Sequence, residues 1–144
     1  MSSAERLYTR ELLTLAIRLA DYPWNDDLPQ LGDARSKSCG STIALGLDVD
    51  STGAIASLGM RVRACAVGQA SAAIFADAAI GKDRQAIGAM LDALALWLTD
   101  DGPLPDWPGL AVIEPAKAFP GRHGAIKLPW EAAFAALSTS RPND

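Results

Sequence analysis

Between Ser41 and Val49 an apolar residue falls on every second position: Ile43, Leu45, Leu47 and Val49 alternate with Thr42, Ala44, Gly46 and Asp48. Successive side chains leave a strand on opposite sides, so this period of two describes a strand with one buried and one wet face. Asp50-Ser51-Thr52-Gly53 has turn chemistry. A second strand is expected near Ala54 to Ser57. A third is expected from Leu58 to Ala64, with Leu58, Met60, Val62 and Ala64 on one face and Arg61 and Arg63 on the other. At Ala66 the period returns to that of a helix. Clustered strands followed by a run of helices predict an α+β fold, a three-stranded antiparallel sheet packed by helices.

The helices are placed by the spacing of apolar residues and by breakers. Tyr8, Leu12, Leu15 and Leu19 predict a helix over Glu5 to Ala20, ended by Pro23. The stretch from Tyr22 to Gly32 reads as a turn-rich loop. Ala66 to Ala79 is a small-residue helix, broken at Gly81. Lys82-Asp83 opens the next, whose apolar face holds Leu91, Leu94, Leu96, Trp97 and Leu98. A shorter helix is expected over Leu110 to Ala118, with Pro120-Gly121 as its stop, and a last one from about Pro129 to Leu137. No repeat, linker or low-complexity tract interrupts the 144 residues, which suits one domain spanning 1–144.

Composition narrows the function classes. At 49% hydrophobic and 21% charged residues the chain has enough apolar material for a core. A net charge of −4 with no Lys/Arg run argues against nucleic acid as a partner. No apolar run approaches the roughly eighteen residues of a membrane span, and the N-terminus lacks the basic and apolar regions of a signal peptide. A cytoplasmic protein without a membrane partner is expected. A phosphate loop is absent, and no Ser sits in a Gly-x-Ser-x-Gly turn beside the single histidine, His123. The chain is read as a binding protein and not an enzyme.

Two cysteines remain as chemistry-bearing residues. In a reducing compartment they are not expected to form a structural disulfide, and isolated thiols often pack as small hydrophobes. Their surroundings point further. Cys39 lies in Ser38-Cys39-Gly40-Ser41, where glycine leaves the backbone free to bend. Cys65 lies where the strands end and the small-residue helix begins, and a helix N-terminus favours thiolate. Arg61 and Arg63 share its nominal strand face and act in the same direction. The pattern alone does not bring the two thiols together: three consecutive antiparallel strands put the start of the first and the end of the third at opposite ends.

Three segments resemble the motifs of the U-type iron–sulfur cluster scaffold family (IscU, SufU and the NifU N-terminal domain). Ser38-Cys39-Gly40-Ser41 resembles its Cys-Gly-Asp motif. Cys65-Ala66-Val67-Gly68-Gln69-Ala70-Ser71 resembles its Gly-Cys followed by a Ser/Ala-rich helix, with Gly81-Lys82 after it. The segment from Pro120-Gly121-Arg122 to Leu128-Pro129-Trp130 resembles its Pro-x-Arg stretch, which leads to a cysteine and a Leu-x-Trp helix start. The resemblance implies a SufE/IscU-like α+β fold that brings the cysteine loops to one end. It implies a transient [2Fe–2S] cluster or zinc, with a cysteine desulfurase and recipient apoproteins as partners. On that resemblance Cys39 and Cys65 are ligands, Ser41 replaces the family's Asp, and Ala125 replaces its third Cys. His123, one residue short of the position before that Cys, is a candidate third ligand. A fourth could come from solvent, a partner, or a second copy in a homodimer, because clusters and structural zinc take four ligands. The alternative is a sulfur-accepting or desulfurase-binding paralogue that has lost the cluster.

Overall fold

The computed structural model describes residues 9–37 and 40–138. Helix α1 (Arg10–Arg18) starts at Thr9, whose hydroxyl accepts from the Leu12 N–H at 3.1 Å, the cap a helix start needs. A 3₁₀ turn, Leu19–Asp21, finishes it. The earlier start expected at Glu5, and Tyr8, lie outside the described residues. Leu12 is fully buried, and Arg18 and Tyr22 both donate to Asp77, which ties this end of the chain to the later helix α2 (Ala66–Ala79).

The strands are β1 (Gln30–Arg35), β2 (Thr42–Val49) and β3 (Ile55–Arg63), an antiparallel sheet in the order β1-β2-β3. The expected class and strand number hold, but two assignments change. β1 lies partly in what reads as a loop. The pieces expected at Ala54 to Ser57 and Leu58 to Ala64 are one strand, with an irregularity opposite Asp48/Val49. Ile43, Leu45, Leu47 and Met60 face the core as their alternation requires, and the irregularity at Asp48/Val49 lets Ile55 face it as well.

Beyond α2 come α3 (Arg84–Thr99), capped by Asp83 on the Ala86 N–H, a 3₁₀ helix Leu110–Ala118, and α4 (Pro120–Ser138). α4 is twice the length expected. Pro120 does not stop a helix but begins one, because a first-turn proline forfeits no intrahelical bond. Pro129 sits inside it, and α4 lies across β1 and β2 between α2 and α3. Gly32 is where that helix meets the sheet: a Cβ there would fall 2.1 Å from the Ala132 carbonyl oxygen. Phe75 and Trp107 stack at 5.9 Å, and Trp130 meets both edge-on at 5.6 and 5.3 Å. Trp97, Trp107 and Trp130 are thus core residues.

Pro129 has no N–H for the Ala125 carbonyl, so α4 is weakened one turn earlier. A hydroxyl from α2 supports this region: buried Ser71 donates to the Ile126 carbonyl at 2.6 Å. Ser71→Ala should cost about 1–3 kcal/mol in denaturant unfolding, the usual range when a buried acceptor loses its partner. A change under about 0.5 kcal/mol, the scale of an ordinary surface substitution, would show that this bond contributes nothing.

Candidate functional site

The register of the sheet decides which ends meet. Thr42 pairs with Arg35 on one side and with Arg63 on the other. The end of β1, the start of β2 and the end of β3 therefore form one row across the sheet. The opposite-end arrangement follows only if β3 is split in two; with one continuous β3, the start of β2 and the end of β3 are neighbours. Gly40 precedes this row by two residues and Cys65 follows it by two, each within about 7 Å at strand rise.

Ser36 and Ser41 close the turn between β1 and β2. The Ser36 N–H donates to the Ser41 carbonyl at 2.8 Å, and the Gly40 N–H donates to the Ser36 carbonyl at 3.0 Å. Gly40 has φ +72°, a conformation that costs a side-chain-bearing residue about 1–2 kcal/mol. Ser36 and Ser41 are buried. Cys39 lies outside the described residues; its chain neighbour Gly40 is anchored in this turn.

Cys65 is the N-cap residue of α2, half-buried and not in a disulfide. Its extended backbone (φ −66°, ψ 172°) turns the chain from strand to helix, and its side chain makes no capping bond. Gln69 braces this corner from both sides: its N–H donates to the Cys65 carbonyl and its Nε2 to the Ala64 carbonyl, each at 2.9 Å. Gln69 falls within the second motif, but nothing in the sequence marks its role as a brace.

The third segment also reaches this corner. A Cβ on Gly68, in the first turn of α2, would lie 3.3 Å from the Cβ of Ala125. Position 125 thus abuts the start of α2 and is itself buried.

His123 sits on α4 rather than in the expected glycine-rich loop, because α4 begins at Pro120. It is half-buried, with Nε2 2.7 Å from the Lys117 carbonyl. A carbonyl only accepts, so Nε2 carries the proton, which leaves Nδ1 as the nitrogen with a lone pair when the ring is neutral. Lys117 in turn donates to Asp101 at 2.7 Å and holds that carboxyl below the usual carboxylate range, first by the hydrogen bond and then by charge. Among the described residues no three of His, Cys, Asp and Glu gather closely enough to hold a metal ion.

Of the two arginines expected to act on Cys65, Arg61 stacks on Trp24, its guanidinium carbon 4.8 Å from the ring centre. Both arginines are exposed. Arg35, across Thr42 from Arg63, joins them on the outer face of the sheet. It went unnoticed in the sequence because β1 did. Among the described residues no helix is long and apolar enough to cross a membrane.

No family model matches the chain, and no curated protein matches it. Solved structures do. A NifU-like protein (N-terminal part) from Brucella abortus superposes with a TM-score of 0.83 at 26% identity, covering 94% of this chain and 95% of that one. A protein assigned as an iron–sulfur cluster assembly scaffold of the SUF system in Fervidobacterium islandicum AW-1 gives 0.81 at 18% identity, covering 94% and 99%. A protein of undescribed function gives 0.67 at 21% identity, covering 88% and 96%. The near-complete coverage on both sides means that the sheet and the helices packed on it have counterparts there. The chain therefore has the fold of these NifU-like and SUF-system scaffold proteins, with a sequence that has diverged far from theirs.

Proposed function

We infer that this chain is a ligand-poor iron–sulfur cluster assembly scaffold that carries an iron–sulfur cluster as cargo on the thiolates of Cys39 and Cys65. The observation that carries the reading is the convergence at one sheet end of the Gly40–Ser41 turn, the Cys65 cap of α2, and Ala125 against Gly68. These are the three segments whose sequence resembles the family's ligand motifs. A cluster takes four ligands, mostly thiolates. Two come from this chain. His123 can offer Nδ1 as a third because Nε2 is committed to Lys117, and such an outer hydrogen bond is what orients ligand histidines. A second copy of the chain or the recipient apoprotein completes the set. A cysteine desulfurase supplies the sulfur. A site short of its own ligands holds cargo loosely, which suits transfer over storage.

One observation favours a second reading, sulfur acceptance. Ala125 and Ser41 stand where relatives carry a thiolate and a carboxylate, and no metal-holding trio forms among the described residues. Accepting sulfur needs one thiol. The Cys65 thiolate would attack the outer sulfur of the desulfurase persulfide, the S–S bond would break, and the desulfurase cysteine would leave as thiolate.

Anaerobic reconstitution with ferrous iron and sulfide tests the scaffold reading. The chain should develop visible absorption with iron and sulfide in equal amounts. Both features should vanish in Cys39→Ser and in Cys65→Ser and weaken in His123→Ala. Reconstitution with zinc in place of iron should give lower occupancy. A folded protein that stays colourless sinks the scaffold reading. Transfer of one sulfur to Cys65 from a desulfurase, seen by intact mass, would then support the second reading.

A further inference from the structure

The outer face of the sheet carries a concentration of positive charge that the cluster reading does not use. The cross-strand row Arg35–Thr42–Arg63 and the next row, Asp33–Ala44–Arg61, project to the same side, because residues two apart share a face. Strand spacing puts the backbones of Arg35 and Arg63 about 10 Å apart, and Arg61 about 7 Å from Arg63. All three arginines are exposed, and among the described residues none is ion-paired. Asp33 is the only carboxylate in these rows, so the patch has a surplus of two positive charges in a chain whose net charge is −4. Like charges set close on one sheet face repel and lower stability unless something neutralises them.

The surroundings favour an extended ligand. The arginines line an open cleft of about 560 Å³ on the sheet surface. The adjoining surface is covered: the Pro23 carbonyl lies against Gly59 and the Leu28 side chain against Gly46. Trp24 holds Arg61 from one side, which leaves the guanidinium edge free to donate. Guanidinium groups bind carboxylates in two-point contacts. A single small anion would be left largely in water by so open a site, and three arginines against an acidic chain are too few for a nucleic-acid tract. We propose that Arg35, Arg61 and Arg63 form a docking surface for an acidic segment of a partner protein, two residues from Cys65 along the chain. A partner held there has its own reactive group brought to the cysteine corner.

The full chain should bind a fluorescein-labelled oligoglutamate peptide in an anisotropy titration, with affinity falling as salt is raised. Arg63→Glu and Arg35→Glu should each weaken binding at least about fivefold, as reversal of a contacting charge does. Arg63→Lys should restore part of it. Arg10→Glu, an equal charge change on α1, should have no effect. Circular dichroism would check the fold, with Arg63→Gln taking the place of a reversal that fails to fold. Absence of binding, an equal loss in Arg10→Glu, or equally tight binding of an oligothymidylate of the same length would overturn the proposal. Peptide binding is read without iron, so it stands or falls separately from the cluster reading: Cys65→Ser should leave it intact.

Discussion

Gly32→Ala should cost about 3 kcal/mol or more and lower the melting temperature by about 10 °C, the larger for the smaller the substituent that causes it. The added Cβ would lie 2.1 Å from the Ala132 carbonyl oxygen and 2.6 Å from the Ala136 nitrogen. Both are backbone atoms of α4, so no rotamer change makes room, and the helix must leave the sheet. Overpacking a core by a methyl group costs about 1–3 kcal/mol when side chains can adjust. Here they cannot, and at this chain length each kcal/mol moves the midpoint by about 2–4 °C. Lifting α4 also breaks the bond from Gln30 Nε2 to the Ala136 carbonyl. Gly121→Ala is the matched control. Nothing lies within 4 Å of its added Cβ, and in a helix alanine is better than glycine by about 0.5–1 kcal/mol. Calorimetry on the two variants should give shifts of opposite sign. A Gly32→Ala midpoint within a degree of wild type would mean that α4 does not rest directly on β1.

Ala125→Cys should raise the iron and sulfide retained after reconstitution and desalting by about tenfold, an expectation that rests on the scaffold reading. Ala125 packs against the first turn of α2, whose cap is Cys65. Adding one sulfur atom there turns two thiolates into three, and cluster stability follows the number of thiolate ligands. The volume change is a single heavy atom, so the fold should survive. The same substitution at Ala116, equally buried in the 3₁₀ helix, should give no gain. If Ala125→Cys folds and retains no more iron than wild type, position 125 does not face the thiols. The resemblance would then have been anchored one residue out of place around Arg122.

What the sequence made visible, and what it hid, follows from what each element is buried against. β2 was legible because Ile43, Leu45 and Leu47 bury large side chains on alternate positions. β1 was not, because its inward residues are Gln30, Gly32 and Ala34. Burial there is supplied by a helix backbone pressed against small residues, which leaves no hydrophobic alternation to read. β3 looked like two pieces because its apolar phase changes between Ile55 and Leu58, beside the irregularity at Asp48/Val49; Gly59, within it, is needed where the Pro23 carbonyl comes within 2.2 Å of its would-be Cβ. The length of α4 was concealed by two prolines whose helical roles depend on position: one at the first turn, one inside with Ser71 supporting the turn before it. These errors had a functional cost, since the split β3 separated the two cysteine segments that the true register draws together. The corner residues Cys65, Gly68 and Ala125 were legible through motif resemblance. Arg35 was not, as it belongs to no motif and gains meaning only from Arg63, a neighbour distant in sequence; Gln69 stands inside the second motif, but its bond to the Ala64 carbonyl depends on the strand-to-helix corner.

The seating of α4 on β1 joins residues 106 apart, Gln30 and Ala136. During synthesis, β1 and its meander partners can pair as soon as they emerge, since hairpins form from local contacts. The inner face of β1 has no cover until the final helix follows it. A nascent chain stalled before about residue 130 would therefore display a sheet with its core side open, the kind of surface on which chaperones act and aggregates grow. For this protein the order of translation makes α4 the lid of β1, and the emergence of α4 from the ribosome the step that completes the core.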